Sequence, residues 1–181
     1  MTTLWKPAGE WSGATVAVLG AGPSLTKKAV DSLKGHRTIA CNFAIRLAPD
    51  ADMLLALDGN WPQEFRDFAG MRVTGCADDT LDALYMGPQS ERLMIAPGHE
   101  VEITFTGLAA LRLAAAMGAK KIIYAGFDPD EPRYFYDDEV DTGLTYLHLG
   151  LGLQKVIADL TAQGVKVEQY KPKAYKQDAD V

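Results

Sequence analysis

The strongest constraint on the fold is a series of short apolar runs, each ending on small or polar residues. Ala14-Thr15-Val16-Ala17-Val18-Leu19 stops at Gly20-Ala21-Gly22-Pro23-Ser24, and Arg37-Thr38-Ile39-Ala40-Cys41 stops at Asn42. Asp52-Met53-Leu54-Leu55-Ala56-Leu57 stops at Asp58-Gly59-Asn60, and Lys121-Ile122-Ile123-Tyr124-Ala125 stops at Gly126-Phe127-Asp128. Runs that do not alternate apolar with polar read as strands buried on both faces. Such strands need helices between them, and the intervening sequence supplies these. Leu25, Val30 and Leu33 give one side of a short helix, with Ser24 as its expected N-cap. The Ala- and Leu-rich stretch from Gly107 to Met117 predicts a second helix closed by Gly118, and Leu147 to Gln163 a third ending at Gly164. Val165 to Glu168 follows as a last strand. Met71-Arg72-Val73-Thr74 and Arg92-Leu93-Met94-Ile95 are weaker strands, and the irregular stretch from Asp78 to Gly98 reads as a lid, an insertion or a surface connection. Alternating strands and helices predict an α/β fold with a mostly parallel sheet flanked by helices. One domain is expected over residues 1–170, with a polar tail over 171–181.

Composition narrows the function classes. The 181 residues carry 18 basic and 24 acidic side chains, a formal charge of −6. That balance gives no strong signal for gripping duplex nucleic acid. The apolar runs are strand-length, far below the roughly 20 residues of a membrane span. The first residues, Met1 to Pro7, lack the apolar core of a signal peptide. Cys41 and Cys76 stand in no metal-ligand spacing and suit a reducing compartment, so a cytoplasmic location is expected and no metal site is assigned.

In open parallel sheets ligands bind outside the carboxyl ends of the strands. Those ends hold Gly20, Gly22, Ser24, Asn42, Asp58 and Asp128. Gly20-Ala21-Gly22 matches the first half of a dinucleotide fingerprint, in which glycines let a phosphate approach the backbone and a helix start. Leu25 stands where the third glycine belongs, and Asn42 where an acidic residue would hold a nicotinamide ribose. This argues against an NAD enzyme. No Gly-Lys-Ser/Thr phosphate loop is present either. Asp58 and Asp128 fit a sugar hydroxyl or a phosphate-bound magnesium ion, or else turns satisfying their own amides. His148, at the start of the long helix, has the chemistry of a general base. His36 and His99 lie in turns with little to connect them to a site. Tyr134 and Tyr136 are phenolic donors in an aromatic loop, or packing residues, and Cys41 reads as a small buried hydrophobe.

Val18-Leu19-Gly20-Ala21-Gly22-Pro23-Ser24-Leu25, Ala40-Cys41-Asn42, Thr106-Gly107-Leu108-Ala109-Ala110 and Ala125-Gly126-Phe127-Asp128, in that order, resemble a group of Rossmann-like proteins. The group includes small bacteriophage and prophage proteins and, more distantly, bacterial CMP-sialic acid sialyltransferases and 6-hydroxymethylpterin pyrophosphokinase-like proteins. The resemblance to the transferases implies a nucleotide donor, CMP-type first, held by Gly20, Gly22, Asn42, Thr106 and Gly107. It also implies Tyr134 or Tyr136 at the departing phosphate and His148 as base on the acceptor. This chain is shorter than those enzymes and lacks the serine that follows their histidine. The pyrophosphokinase likeness implies magnesium with Asp58 and Asp128 instead, and a non-catalytic nucleotide-binding phage protein is the third reading. The expected partner is a small-molecule nucleotide, in a chain compatible with a homo-oligomer.

Overall fold

A computed structural model describes residues 3–131, 134–136 and 145–171, with only the backbone for residues 145–147. In chain order the strands are β1 (Thr15–Leu19), β2 (Arg37–Cys41), β3 (Met53–Ala56), β4 (Met71–Thr74), β5 (Leu84–Tyr85), β6 (Glu91–Ala96), β7 (His99–Ile103), β8 (Lys121–Ala125) and β9 (Lys166–Gln169). The helices are α1 (Lys27–Ser32), α2 (Gln63–Arg66), α3 (Thr106–Ala116) and α4 (Thr145–Ala162), with a 3-10 turn over Asn42–Arg46.

Side chains alternate faces along a strand, and here both faces are buried. Val16 and Val18 of β1, Ile39 and Cys41 of β2, and Met53 and Leu55 of β3 enter one core together with α3 and α4. Ala17 and Leu19, Ala40, and Leu54 and Ala56 enter the other, beneath Val30 of α1, Ala44 and Ile45 of the 3-10 turn, and Phe65 of α2. This two-sided burial produces the non-alternating runs. The strands form one seven-stranded sheet in the order β5-β4-β3-β2-β1-β8-β9, parallel throughout. The expected α/β architecture is therefore present as a Rossmann-like domain. From β1 the chain winds outward to β5, then crosses back through α3 to enter at β8 on the other side of β1. The β1–β8 seam is the point where the winding reverses.

Three local expectations need correction. Arg92–Ile95 does lie in a strand, β6, but this pairs antiparallel with β7 in a hairpin apart from the main sheet. Its burial alternates, with Glu91 and Leu93 in and Arg92 and Met94 out, as befits a strand with one wet face. Glu91 pins the hairpin to the helices, accepting from Arg112 Nε, Arg112 Nη2 at 2.8 Å and Lys155 Nζ at 3.2 Å. Asp159 takes Arg112 Nη2 at 2.7 Å and Lys155 Nζ at 2.9 Å, which closes a four-charge network. The stretch from Asp78 to Gly98 is thus the edge strand β5 and the first arm of this hairpin. Ser24 does not cap α1. Thr26 does, its Oγ1 accepting from Ala29 N at 3.1 Å.

Gly118 does end α3. At φ +95° its N–H donates to the Ala115 carbonyl while Ala119 N donates to Ala114, a Schellman closure. Apart from Lys171, the tail expected over 171–181 lies outside the described residues. No helix among the described residues is long and apolar enough to cross a membrane.

Candidate functional site

The seam between β1 and β8 opens at its carboxyl end into a cleft of about 250 Å³. Gly20, Gly22, Asn42, Asp58, Thr106, Gly107, Asp128 and Tyr134 all line it, so residues spread over most of the chain meet where sequence reasoning places them. Ser24 stands just behind the lining, bonded to Asp128. Tyr136 lines an adjoining cavity of about 180 Å³. His148 is half-buried and outside both linings, although its neighbour Leu149 reaches the first. One residue along an α-helix turns the side chain by about 100°, so the two point apart. His99 begins β7 on the exposed hairpin, and exposed His36 borders a separate cavity beside α1.

The glycine turn is built differently from the dinucleotide analogy. Gly20 N donates to the Ala125 carbonyl at 2.8 Å and Gly22 N to the Gly126 carbonyl at 2.9 Å, which lays the turn after β1 directly on the turn after β8. A Cβ on Gly20 would strike the Gly126 carbonyl, and one on Gly22 would strike the Asp128 carboxylate. A Cβ on Gly107 would come within 2.5 Å of the Phe127 ring. All three glycines are thus required by close packing of the protein on itself. Asp128 completes the joint, its Oδ2 accepting from Ser24 N at 3.0 Å and from Ser24 Oγ at 2.9 Å. Helix α1 starts later, at Lys27, under its own cap.

The helix end that does reach the cleft is that of α3. Phe105 is its N-cap residue and makes no side-chain capping bond, and the first turn carries no acidic residue. The leading N–H groups of a helix lack partners within it and together carry about half a positive charge. Phe105, Thr106 and Gly107 bring that end to the cavity wall. Asn42 stands opposite in the left-handed region, φ +50°, a conformation uncommon outside glycine and concentrated at functional sites. Its Nδ2 lies 3.4 Å from Thr106 Oγ1, a long contact that links β2 to α3 across the opening. Cys41 also borders the cleft, but burial pushes its thiol up to about 12, so it serves as a hydrophobe rather than a nucleophile.

Phe135 N donates to the Ala21 carbonyl at 3.0 Å, which fastens residues 134–136 over the glycine turn. Tyr134 and Tyr136 are stacked, centroids 5.2 Å apart and planes 7° from parallel. Sequence reasoning missed the rest of this aromatic wall. Phe43 packs on Phe65 at 4.9 Å and on Tyr136 at 4.8 Å, and Trp61 packs edge-on to Phe65. Arg46 covers the Phe43 and Tyr136 rings at 4.4 and 5.0 Å and is held there by Glu64 at 2.7 Å. The available signal was Asn60-Trp61-Pro62, a large aromatic placed immediately beyond a strand end. The chain matches no protein-family model and no curated protein.

Proposed function

We propose that the seam cleft binds a nucleotide or nucleotide-sugar, with group transfer from it as the chemistry. The observation that supports this best is the start of α3, which has no side-chain cap bond and lines a cavity at the reversal of strand order beside the Thr106 hydroxyl and the Asn42 amide. The N–H groups and dipole at a helix start favour a phosphate. The phosphate seat accordingly moves from the glycine turn to Thr106 and Gly107, and the turn becomes the rigid floor between them and Asp128. The likeness to CMP-sialic acid enzymes puts cytidine first.

In the transfer, the bond from the sugar's anomeric carbon to the phosphate oxygen breaks as an acceptor hydroxyl bonds to that carbon. The nucleoside monophosphate leaves with the electron pair, and the hydroxyl proton passes to water at the open mouth of the cleft, since His148 lies outside its lining. A magnesium-dependent phosphotransferase is the second reading, because Asp58 and Asp128 border the same cavity.

Thermal melts with CMP, CMP-sialic acid and ATP, the last with and without magnesium, test this. A ligand at 100 times its Kd adds about 2.7 kcal/mol. The expected result is a rise with the cytidine ligands and release of CMP from CMP-sialic acid, which His148→Ala leaves in place. A rise only with magnesium and ATP would favour the second reading, and no rise with any ligand would overturn the cleft assignment.

A further inference from the structure

The seam cleft and the aromatic cavity adjoin. Asn42, Asp58 and Tyr134 border both, so the two spaces meet along one wall. At about 250 and 180 Å³, each alone falls short of the roughly 300–1,000 Å³ of small-molecule sites, whereas the pair reaches it. The two halves differ in chemistry. The cleft offers backbone turns, a hydroxyl and a helix start, while the smaller cavity is walled by Phe43, Trp61, Phe65, Tyr134 and Tyr136.

We propose that the aromatic cavity is a nucleobase subsite, so that the protein takes a ribonucleotide with its base against Tyr134, its ribose at Asp58 and its phosphate at α3. This rests on the nucleotide reading above and assigns to Tyr134 a role different from steadying a departing phosphate. Among the described residues Tyr134 is the open end of a layered stack, since Arg46 covers Tyr136 and Tyr136 lies parallel to Tyr134. The residue is 38 % exposed. A planar heterocycle extends such a stack at little entropic cost, because the rings beneath are already fixed.

Trp61, only 5 % exposed, closes the far side of this cavity, its indole N–H buried and without an acceptor among the described residues. The exposed Asp58 carboxylate stands at the junction of the two cavities and bonds to no described residue. As an ionised carboxylate it only accepts, which suits the paired hydroxyls of a ribose.

The test is calorimetric titration of the whole chain with CMP, 2′-deoxy-CMP and ribose 5-phosphate. CMP should bind more tightly than ribose 5-phosphate, and more tightly than the deoxy compound. Tyr134→Ala should weaken CMP by about 5- to 150-fold, the usual range for one lost base stack, while leaving ribose 5-phosphate within twofold. Tyr134→Phe keeps the ring without the hydroxyl and should keep CMP affinity, which also guards against a misfolded alanine variant. Asp58→Asn should narrow the gap between CMP and its deoxy form.

If CMP binds no better than ribose 5-phosphate, the subsite is refuted while the phosphate cleft stands. Equal losses of both ligands in Tyr134→Ala, or loss of CMP in Tyr134→Phe, would instead place the phenol on the phosphate and likewise refute it. Failure of the wild-type chain to bind any of the three would refute the nucleotide reading and the subsite with it.

Discussion

Replacing Gly22 with alanine should destabilise the protein with no ligand present. The new Cβ would meet the Asp128 carboxylate oxygen, the Gly126 carbonyl oxygen at 2.8 Å and Asp128 Cγ at 3.1 Å. Gly22 does not occupy the left-handed region, so the cost is crowding and not backbone strain. Overpacking of this kind costs about 1–3 kcal/mol. At about 2–4 °C per kcal/mol for a chain of this size, the melting temperature should fall by about 2–12 °C. Asp128→Ala removes two of the three obstructing atoms together with the acceptor that holds Ser24. In that background Gly22→Ala should cost less, with a coupling energy of at least about 0.5 kcal/mol in a double-mutant cycle read by thermal or urea unfolding. An unchanged melting temperature in the single variant would refute the packing account, as would strictly additive effects in the double. Gly22 would then be explained only by a ligand's approach.

Two further outcomes follow from local contacts. The Arg112 guanidinium, with help from Lys155, holds the Glu91 carboxyl below its usual range of about 4.5. A lowered folded-state value means stability that is present above the unfolded carboxylate pKa and is lost as pH falls through the folded one. Glu91→Gln should therefore cost stability at neutral pH, and the gap to wild type should narrow as pH drops below about 5; a gap constant down to acid unfolding would refute the network's role. Thr26→Ala should cost about 0.5–2 kcal/mol and speed exchange of the Ala29 amide. Ser24→Ala should leave that amide unchanged, and acceleration there would restore Ser24 as the cap.

Where burial alone decides structure, the sequence is legible. β1, β2 and β8 fall on the apolar runs that predict them, because a strand covered on both faces has little freedom in composition. Helix α3 is equally plain from its alanines and leucines and its closing Gly118. The errors arise where a residue's partner is remote. Ser24, Gly20 and Gly22 look like a phosphate loop in isolation, yet their neighbours are Gly126 and Asp128, joined to them by sheet order and not by sequence.

The hairpin over β6 and β7 was hidden for a related reason. Its alternation is interrupted by a register shift after Met94, and its attachment depends on Arg112 and Lys155 in distant helices. The aromatic wall is the extreme case. Phe43, Trp61, Phe65, Tyr134 and Tyr136 come from a turn, a strand end, a short helix and a late loop, and no periodicity connects them.

The joint between the two glycine turns has a consequence for how the molecule assembles. Ser24 and Asp128 meet across 104 residues of chain, whereas β1 to β5 pair with near neighbours in sequence. Contacts that close so long a loop return nothing until the intervening chain is ordered. One flank of the sheet is therefore expected to form from local pairings, with the β8 flank docking onto it afterwards. The cleft lies on that docking line, so it should complete late in folding, and hydrogen exchange should be faster at the β1–β8 seam than between β2 and β3. A ligand that bridges Thr106, Asn42 and Asp128 would act as a rivet across this line, and its effect on hydrogen exchange would extend along β1 and β8 well beyond the atoms it touches.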